Sequence, residues 1–355
     1  MSVTTEEIRA ALARVAIPDG KDLISADLVR AIQIDGTAVR FVIEAPSPEI
    51  ARLMEPVRKA AEAVVGELPG VSQVTVALTA HGPAAKPPSG LKIGGHMKPQ
   101  AGSLKPSGVA RILAIGSGKG GVGKSTVSSN LAVALARAGR RVGLLDADIY
   151  GPSQPRMMGV SQKPHSPDGQ TIIPLTAHGV TVMSIGLMLP EEKAVVWRGP
   201  MLMGALQQML SQVAWGELDV LLVDLPPGTG DVAMTLCQKA QVSGAIVVST
   251  PQDVALLDAR KALDMFDTLK TPVLGLIENM AVFTCPHCGG QSHIFGSGGT
   301  VAEASARGVP LLAQLPLDLD TRLAGDGGVP VAAGEGPMAD AYAKLADGLI
   351  KGGMA

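Results

Sequence analysis

The chain has 355 residues, 46% of them hydrophobic and 17% charged, with a formal net charge of -2 at neutral pH. This length accommodates two domains, and the near-neutral balance argues against a general binder of polyanions. Three cysteines are too few for a disulfide framework, and no run approaches the roughly 18 apolar residues of a membrane span.

The N-terminus carries Glu6 and Glu7 without an uninterrupted apolar stretch, so no secretory leader is expected and a cytoplasmic location is. Thr4 or Thr5 can cap a first helix containing Ile8, Leu12 and Val15. Strands are expected over 28–34 and 38–43 around an Asp35-Gly36 turn. A helix over 47–65 and a strand over 71–78 complete a small α+β domain, residues 1–80.

Residues 81–108 are rich in Pro, Gly, Lys and Ser without apolar periodicity, the composition of a flexible linker. Residues 109–355 then alternate β-type and helical runs. Strands are expected over 111–117, 141–146, 181–185, 220–224, 245–250, 273–278 and 311–315, and helices over 125–138, 201–213 and 254–269. Several strands are apolar without alternation, as parallel strands covered on both faces are. The expected architecture is a doubly wound, mostly parallel α/β sheet.

One segment carries a specific chemistry. Gly118-Lys119-Gly120-Gly121-Val122-Gly123-Lys124-Ser125-Thr126 satisfies GxxxxGK(S/T) between an apolar strand and a helix. Glycines let backbone N–H groups turn toward phosphate oxygens, and the helix N-terminus favours negative charge. Lys124 is expected to reach the β- and γ-phosphates of ATP and the Ser125 hydroxyl to ligate Mg2+. Asp146, Asp148 and Asp224 stand at strand ends, where carboxylates can serve the magnesium shell.

Cys285-Pro286-His287-Cys288 is the second informative feature, because two thiolates in one turn converge on one metal or cluster. Three readings remain open. Cys285, Cys288 and His293 match three ligands of a zinc knuckle whose fourth position is Gly298. A dithiol redox switch needs a helix N-terminus, whereas a Gly-rich loop follows here. An iron–sulfur cluster shared by two copies completes four ligands by symmetry. Cys237, in a helical stretch, reads as a core thiol.

GKGGVGKS, with its extra Lys119, resembles the deviant Walker A subclass that includes MinD and ParA ATPases, arsenite pump ATPases and nitrogenase iron protein. That resemblance implies a nucleotide-dependent homodimer in which Lys119 reaches the partner's nucleotide. The further blocks DADIYGPS from Asp146, WRGPM from Trp197, DLPPGTGD from Asp224 and Glu278-Asn279-Met280 ahead of CPHC resemble the Mrp family of iron–sulfur cluster carrier ATPases. The first 80 residues are similar to the small iron–sulfur assembly domain often fused to its bacterial members, but contain no cysteine.

The resemblance implies a homodimer holding a labile 4Fe-4S cluster between two CxxC pairs. It also implies slow ATP hydrolysis and transfer to apo iron–sulfur proteins in company with cluster assembly factors. By the same resemblance Asp148 belongs to switch I, Asp224 to switch II, and Asn279 lies near the adenine. The competing reading is a MinD- or ParA-like positioning switch with a structural zinc or redox CxxC. A reductase is a third, although nitrogenase iron protein has its cluster cysteines far apart. The tail 338–355 has only Lys344 and Lys351 as basic residues and no basic stripe stands out, so neither membrane nor nucleic acid is expected as a partner.

Overall fold

The computed structural model describes residues 3–17, 20–45, 54–80, 105–188 and 199–355. The chain divides into two compact units, Met1–Pro88 and Ser89–Ala355.

In the first unit, α1 (Thr5–Leu12) starts at a reciprocal cap. Thr4 Oγ1 accepts from the Glu7 amide at 3.3 Å and Glu7 Oε2 from the Thr4 amide at 2.9 Å. Strand β1 (Val29–Asp35) runs antiparallel to β2 (Ala38–Ala45). Asp35 pairs with Ala38, so the turn is formed by residues 36 and 37, one position later than the sequence suggests. Helix α2 (Glu55–Gly66) leads to β3 (Gln73–Ala80), which pairs parallel with β2. The expected start of that helix at 47 lies outside the described residues. Ile8, Leu12, Phe41, Ile43 and Val65 form the centre of a separate small core.

The second unit opens with β4 (Val109–Gly116), α3 (Lys124–Arg137), β5 (Val142–Asp146) and the single turn α4 (Gln154–Met157). There follow β6 (Leu175–Ala177), β7 (Val180–Ser184), α5 (Gly199–Ser211), β8 (Leu218–Asp224), α6 (Asp231–Lys239) and β9 (Gly244–Ser249). Helix α7 (Asp253–Thr268) and β10 (Val273–Glu278) precede a two-stranded ribbon, β11 (Phe283–Thr284) and β12 (Gln291–Ser292). The chain closes with α8 (Gly299–Arg307), β13 (Leu311–Gln314), α9 (Leu319–Gly327) and α10 (Pro337–Lys351).

The main sheet has eight strands in the order β13-β10-β9-β4-β8-β5-β7-β6. All of its pairings are parallel except that of the short edge strand β6 with β7. Strands β5 and β9 are buried at every residue, which explains their unbroken apolar runs. One face packs against α5, α6 and α7 through Leu206, Leu236 and Phe266. The other packs against α3 and α10 through Leu131, Tyr342 and Leu345. Most of the tail 338–355 is therefore helix α10, with its apolar face spent on the core. No helix among the described residues is long and apolar enough to cross a membrane.

The doubly wound order brings the C-terminal ends of β4, β5, β8, β9 and β10 to one edge, where the phosphate loop also lies. Of the Trp197 block, residues 197 and 198 lie outside the described residues, while 199–201 open α5. Leu222, fully buried in the central strand β8, makes a direct test of this core. Leu222→Ala is expected to cost about 2–5 kcal/mol, read as a lower urea midpoint with an unchanged slope.

Candidate functional site: a phosphate loop beside a thiol hairpin

The loop between β4 and α3 is shaped by two close approaches. A Cβ at Gly118 would lie 2.0 Å from the Asp258 carbonyl carbon, so only glycine lets the loop pack on α7. Gly123 has φ +80° at the N-cap of α3, and a Cβ there would meet Asn279 Nδ2 at 2.2 Å. No side chain caps α3, so its first N–H groups remain available to an anion.

Behind the loop lies a buried polar cluster. Lys124 Nζ donates to Asp224 Oδ1 at 2.5 Å and to Ser125 Oγ at 3.3 Å, leaving its third proton for a ligand. Ser128 Oγ donates to the same Asp224 oxygen at 2.9 Å, and Gln154 Nε2 to the other at 2.8 Å. Asp146 accepts from the Asp148 and Gln154 amides and the Ser184 hydroxyl, each at 3.1 Å. Asp146 and Asp224 are both fully buried. Burial raises the Asp146 carboxyl to about 7, with the Asp224 carboxylate pushing the same way.

Asp148 sits half-buried at the rim, accepting from the Gly151 amide at 3.2 Å. Lys119 is half-buried, and its ammonium has no hydrogen-bond or ion-pair partner among the described residues. A cavity of 220 Å3 follows the loop from Ser117 to Thr126 and is bordered by Asp148. It shares Gly123, Thr126, Ser153 and Met157 with a more apolar cavity of 430 Å3. Asn279, Met280, Pro316 and Leu317 line the larger cavity. Asn279 Nδ2 donates to the Val122 carbonyl at 2.9 Å, which ties the end of β10 to the loop itself. Met280 holds φ +58°, a strained value for a long side chain, at the cavity wall. A polar cradle joined to an apolar chamber suits a polyphosphate bearing an aromatic base.

The thiols lie in the turn of the β11–β12 ribbon. The Cys285 amide donates to the Gly290 carbonyl and the Gly289 amide to the Cys285 carbonyl, both at 2.9 Å. Cys285 is half-buried and Cys288 exposed. The backbone N–H groups of Cys288 and His287, with the Cys288 thiol, hold the Cys285 thiol below its ordinary range. His293 does not join the pair as a zinc ligand through Nδ1, which bonds the Ala281 carbonyl at 2.9 Å. Among the described residues no three His, Cys, Asp or Glu side chains gather as a metal site. One copy therefore offers two thiols there. Cys237 is buried in the core, where burial lifts its thiol to about 11.

Sequence reasoning missed Gln154, Ser128 and Ser184, which look like ordinary loop or helix residues until the strands converge. Their signal was a polar residue at a position facing a strand-end aspartate.

Two measurements test these environments. Asp146 has a folded value above its ordinary 3.8, so its contribution to stability is complete below that pH and is lost as pH rises through about 7. Without metal or nucleotide, the wild type should lose on the order of 1 kcal/mol per pH unit across that window, and Asp146→Asn should flatten the slope. Iodoacetamide at about pH 7.5 should modify Cys285 at least roughly tenfold faster than Cys237, as read by peptide mass spectrometry.

Residues 108–350 match the family described as NUBPL iron-transfer P-loop NTPase, and residues 5–77 match one described as iron-sulfur cluster assembly protein. An iron-sulfur cluster carrier protein of Pseudomonas fragi is 51% identical over 242 residues, covering 67% of this chain and 84% of that protein. Another, from a Synechocystis strain, is 42% identical over 350 residues, covering 97% of this chain and 96% of that one. A solved nucleotide-binding protein from Archaeoglobus fulgidus, in complex with ADP, superposes with a TM-score of 0.56 at 40% identity. That alignment covers 65% of this chain and 90% of the other. The match over 108–350 takes in most of the chain, which therefore belongs to the family of iron-transfer P-loop NTPases.

Proposed function

We propose that this chain is an ATP-hydrolysing iron–sulfur cluster carrier, in which two copies hold one 4Fe-4S cluster between their Cys285–Cys288 pairs. The observation that carries this reading is the thiol pair, half-buried Cys285 and exposed Cys288, in a hairpin of the P-loop unit, with no third ligand beside it among the described residues. Four thiolates suit a cubane cluster, and a two-fold axis supplies the second pair. The cluster is cargo, given up to apo iron–sulfur proteins. Close relatives named as cluster carriers support the same reading. The chain is read as an assembly-like domain (1–80), a linker (81–108, of which 81–104 lie outside the described residues) and an ATPase domain (109–355), working with assembly factors in the cytoplasm.

At the nucleotide, the loop amides from Gly118 to Thr126 and Lys124 bind the β- and γ-phosphates. Ser125 and Asp224 hold Mg2+, which when bound neutralises charge on the phosphates. Asp148 orients the attacking water, and Lys119 crosses to the nucleotide of the second copy. Asn279 fixes the loop against the wall of the base cavity. The alternative of a positioning switch draws less support, since the apolar face of α10 is already buried.

Anaerobic iron and sulfide analysis with an absorption spectrum, before and after reconstitution, tests the carrier reading. About four iron and four sulfide per two chains are expected, lost in Cys285→Ala and Cys288→Ala. Stoichiometric zinc without sulfide would sink it. Lys124→Ala should abolish nucleotide binding. Lys119→Ala should keep binding and slow hydrolysis by on the order of tenfold or more, and an unchanged rate would remove Lys119 from the interface.

A further inference from the structure

We propose that Gln154 is a positioning residue for magnesium: its Nε2 ties the Asp224 carboxylate to the Ser125 backbone, and its Oε1 accepts a hydrogen bond from a metal-bound water. The inference rests on the nucleotide–magnesium reading given above.

Gln154 is fully buried at the first position of α4. Nε2 donates to Asp224 Oδ2 at 2.8 Å and to the Ser125 carbonyl at 3.0 Å. The backbone N–H of the same residue donates to Asp146 Oδ2 at 3.1 Å. One residue therefore joins both buried aspartates to the first turn of α3.

The orientation of the amide is fixed by its neighbours. A backbone carbonyl can only accept, so the atom facing Ser125 O must be the nitrogen, and a flipped amide would set oxygen against oxygen. Both protons of Nε2 are then used. Oε1, on the same carbon, is buried without a hydrogen-bond partner. A buried amide oxygen left unpaired is costly, and its presence calls for a donor that joins the site with its ligand.

The chemistry of that donor follows from its surroundings. No donor among the described residues bonds Oε1, and the Ser128 hydroxyl and the Lys124 ammonium beside it are already turned toward the other Asp224 oxygen. Magnesium keeps several of its waters when bound by few protein ligands, and the cation polarises their O–H bonds into strong donors. Ser125 and Asp224, the two residues proposed to hold the ion, are the two that Gln154 Nε2 bonds, Ser125 through its backbone carbonyl. Outer-shell partners of this kind orient metal ligands and set affinity.

The test titrates Mn2+ by electron paramagnetic resonance into the full-length protein with ADP, using wild type, Gln154→Leu and Gln154→Glu. Calorimetry in EDTA measures metal-free ADP binding in parallel. Gln154→Leu should weaken Mn2+ by about 10–100-fold while metal-free ADP affinity stays within about twofold. Gln154→Glu, which sets an oxygen where Nε2 donates to Asp224 and to the Ser125 carbonyl, should not restore wild-type Mn2+ affinity, and full restoration would overturn the role of the Nε2 tie. An unchanged Mn2+ affinity in Gln154→Leu would mean that an internal water, independent of the metal, satisfies Oε1, and would overturn the proposal. Equal losses of Mn2+ and metal-free ADP binding would overturn it too, by making Gln154 a structural prop. A wild type that binds ADP but no Mn2+ would overturn the underlying magnesium reading before any variant is made.

Discussion

Lys124 and Asp224 form a buried ion pair that joins the first residue of α3 to the last residue of β8. Deleting one partner of such a pair leaves an uncompensated charge, at a cost of about 3–5 kcal/mol. The geometry around it follows from that constraint. Asp146 arrives from β5 in register with Asp224, so two carboxylates lie beside one ammonium. Burial, with the Asp224 carboxylate beside it, holds the Asp146 carboxyl up at about 7, which eases the shortage of positive charge. The shortage is met further by hydroxyl and amide donors from Ser128, Ser184 and Gln154. A divalent cation with a nucleotide is the natural complement to this balance, and the uncapped α3 N-terminus adds its own attraction for phosphate.

The same edge explains how the thiol hairpin is held. The chain leaves β10 through Asn279, touches the P-loop, forms the cavity wall at Met280 and then enters the ribbon. The Leu317 amide donates to the Val282 carbonyl at 2.8 Å, and the Ala281 amide to the Leu315 carbonyl at 2.9 Å. Leu317 also lines the 430 Å3 cavity. The root of the hairpin and the wall of that cavity are therefore one piece of backbone. Helix α7 packs on the P-loop and on the start of α8, since Gly118 lies against Asp258 and a Cβ at Gly299 would strike Leu256.

Much of this was legible in the sequence because the parallel strands are apolar throughout and end in punctuating aspartates or glycines. Strand β10 spans the expected residues, and the others shift by one or two positions, several of them at ends where Ser117, Ile185, Thr250 and Leu315 stay buried beyond the last strand residue. Strand β6 escaped notice because three half-exposed residues carry no pattern. Helix α8 was hidden by the glycines at its start, whose apolar partner Leu256 lies far away in sequence. The P-loop announced itself through backbone requirements that only glycine meets. Asn279 and Gln154 act through tertiary hydrogen bonds to residues over 150 and about 70 positions distant, and local sequence cannot encode those pairings.

The ribbon that carries Cys285 and Cys288 has two paired positions on each strand, and residues 286–294 are all exposed. Little apolar area is lost when it frays, so its opening requires a small fraction of the free energy that unfolds the sheet. Its amide protons should exchange with solvent long before those of β4 and β9, in a sub-global event that leaves the chamber intact. A rigid platform with a soft tip separates two demands that otherwise conflict. Grip on a nucleotide requires pre-organised backbone, whereas the release of a thiolate-bound cargo benefits from a segment that can lose its order cheaply and regain it with the next load.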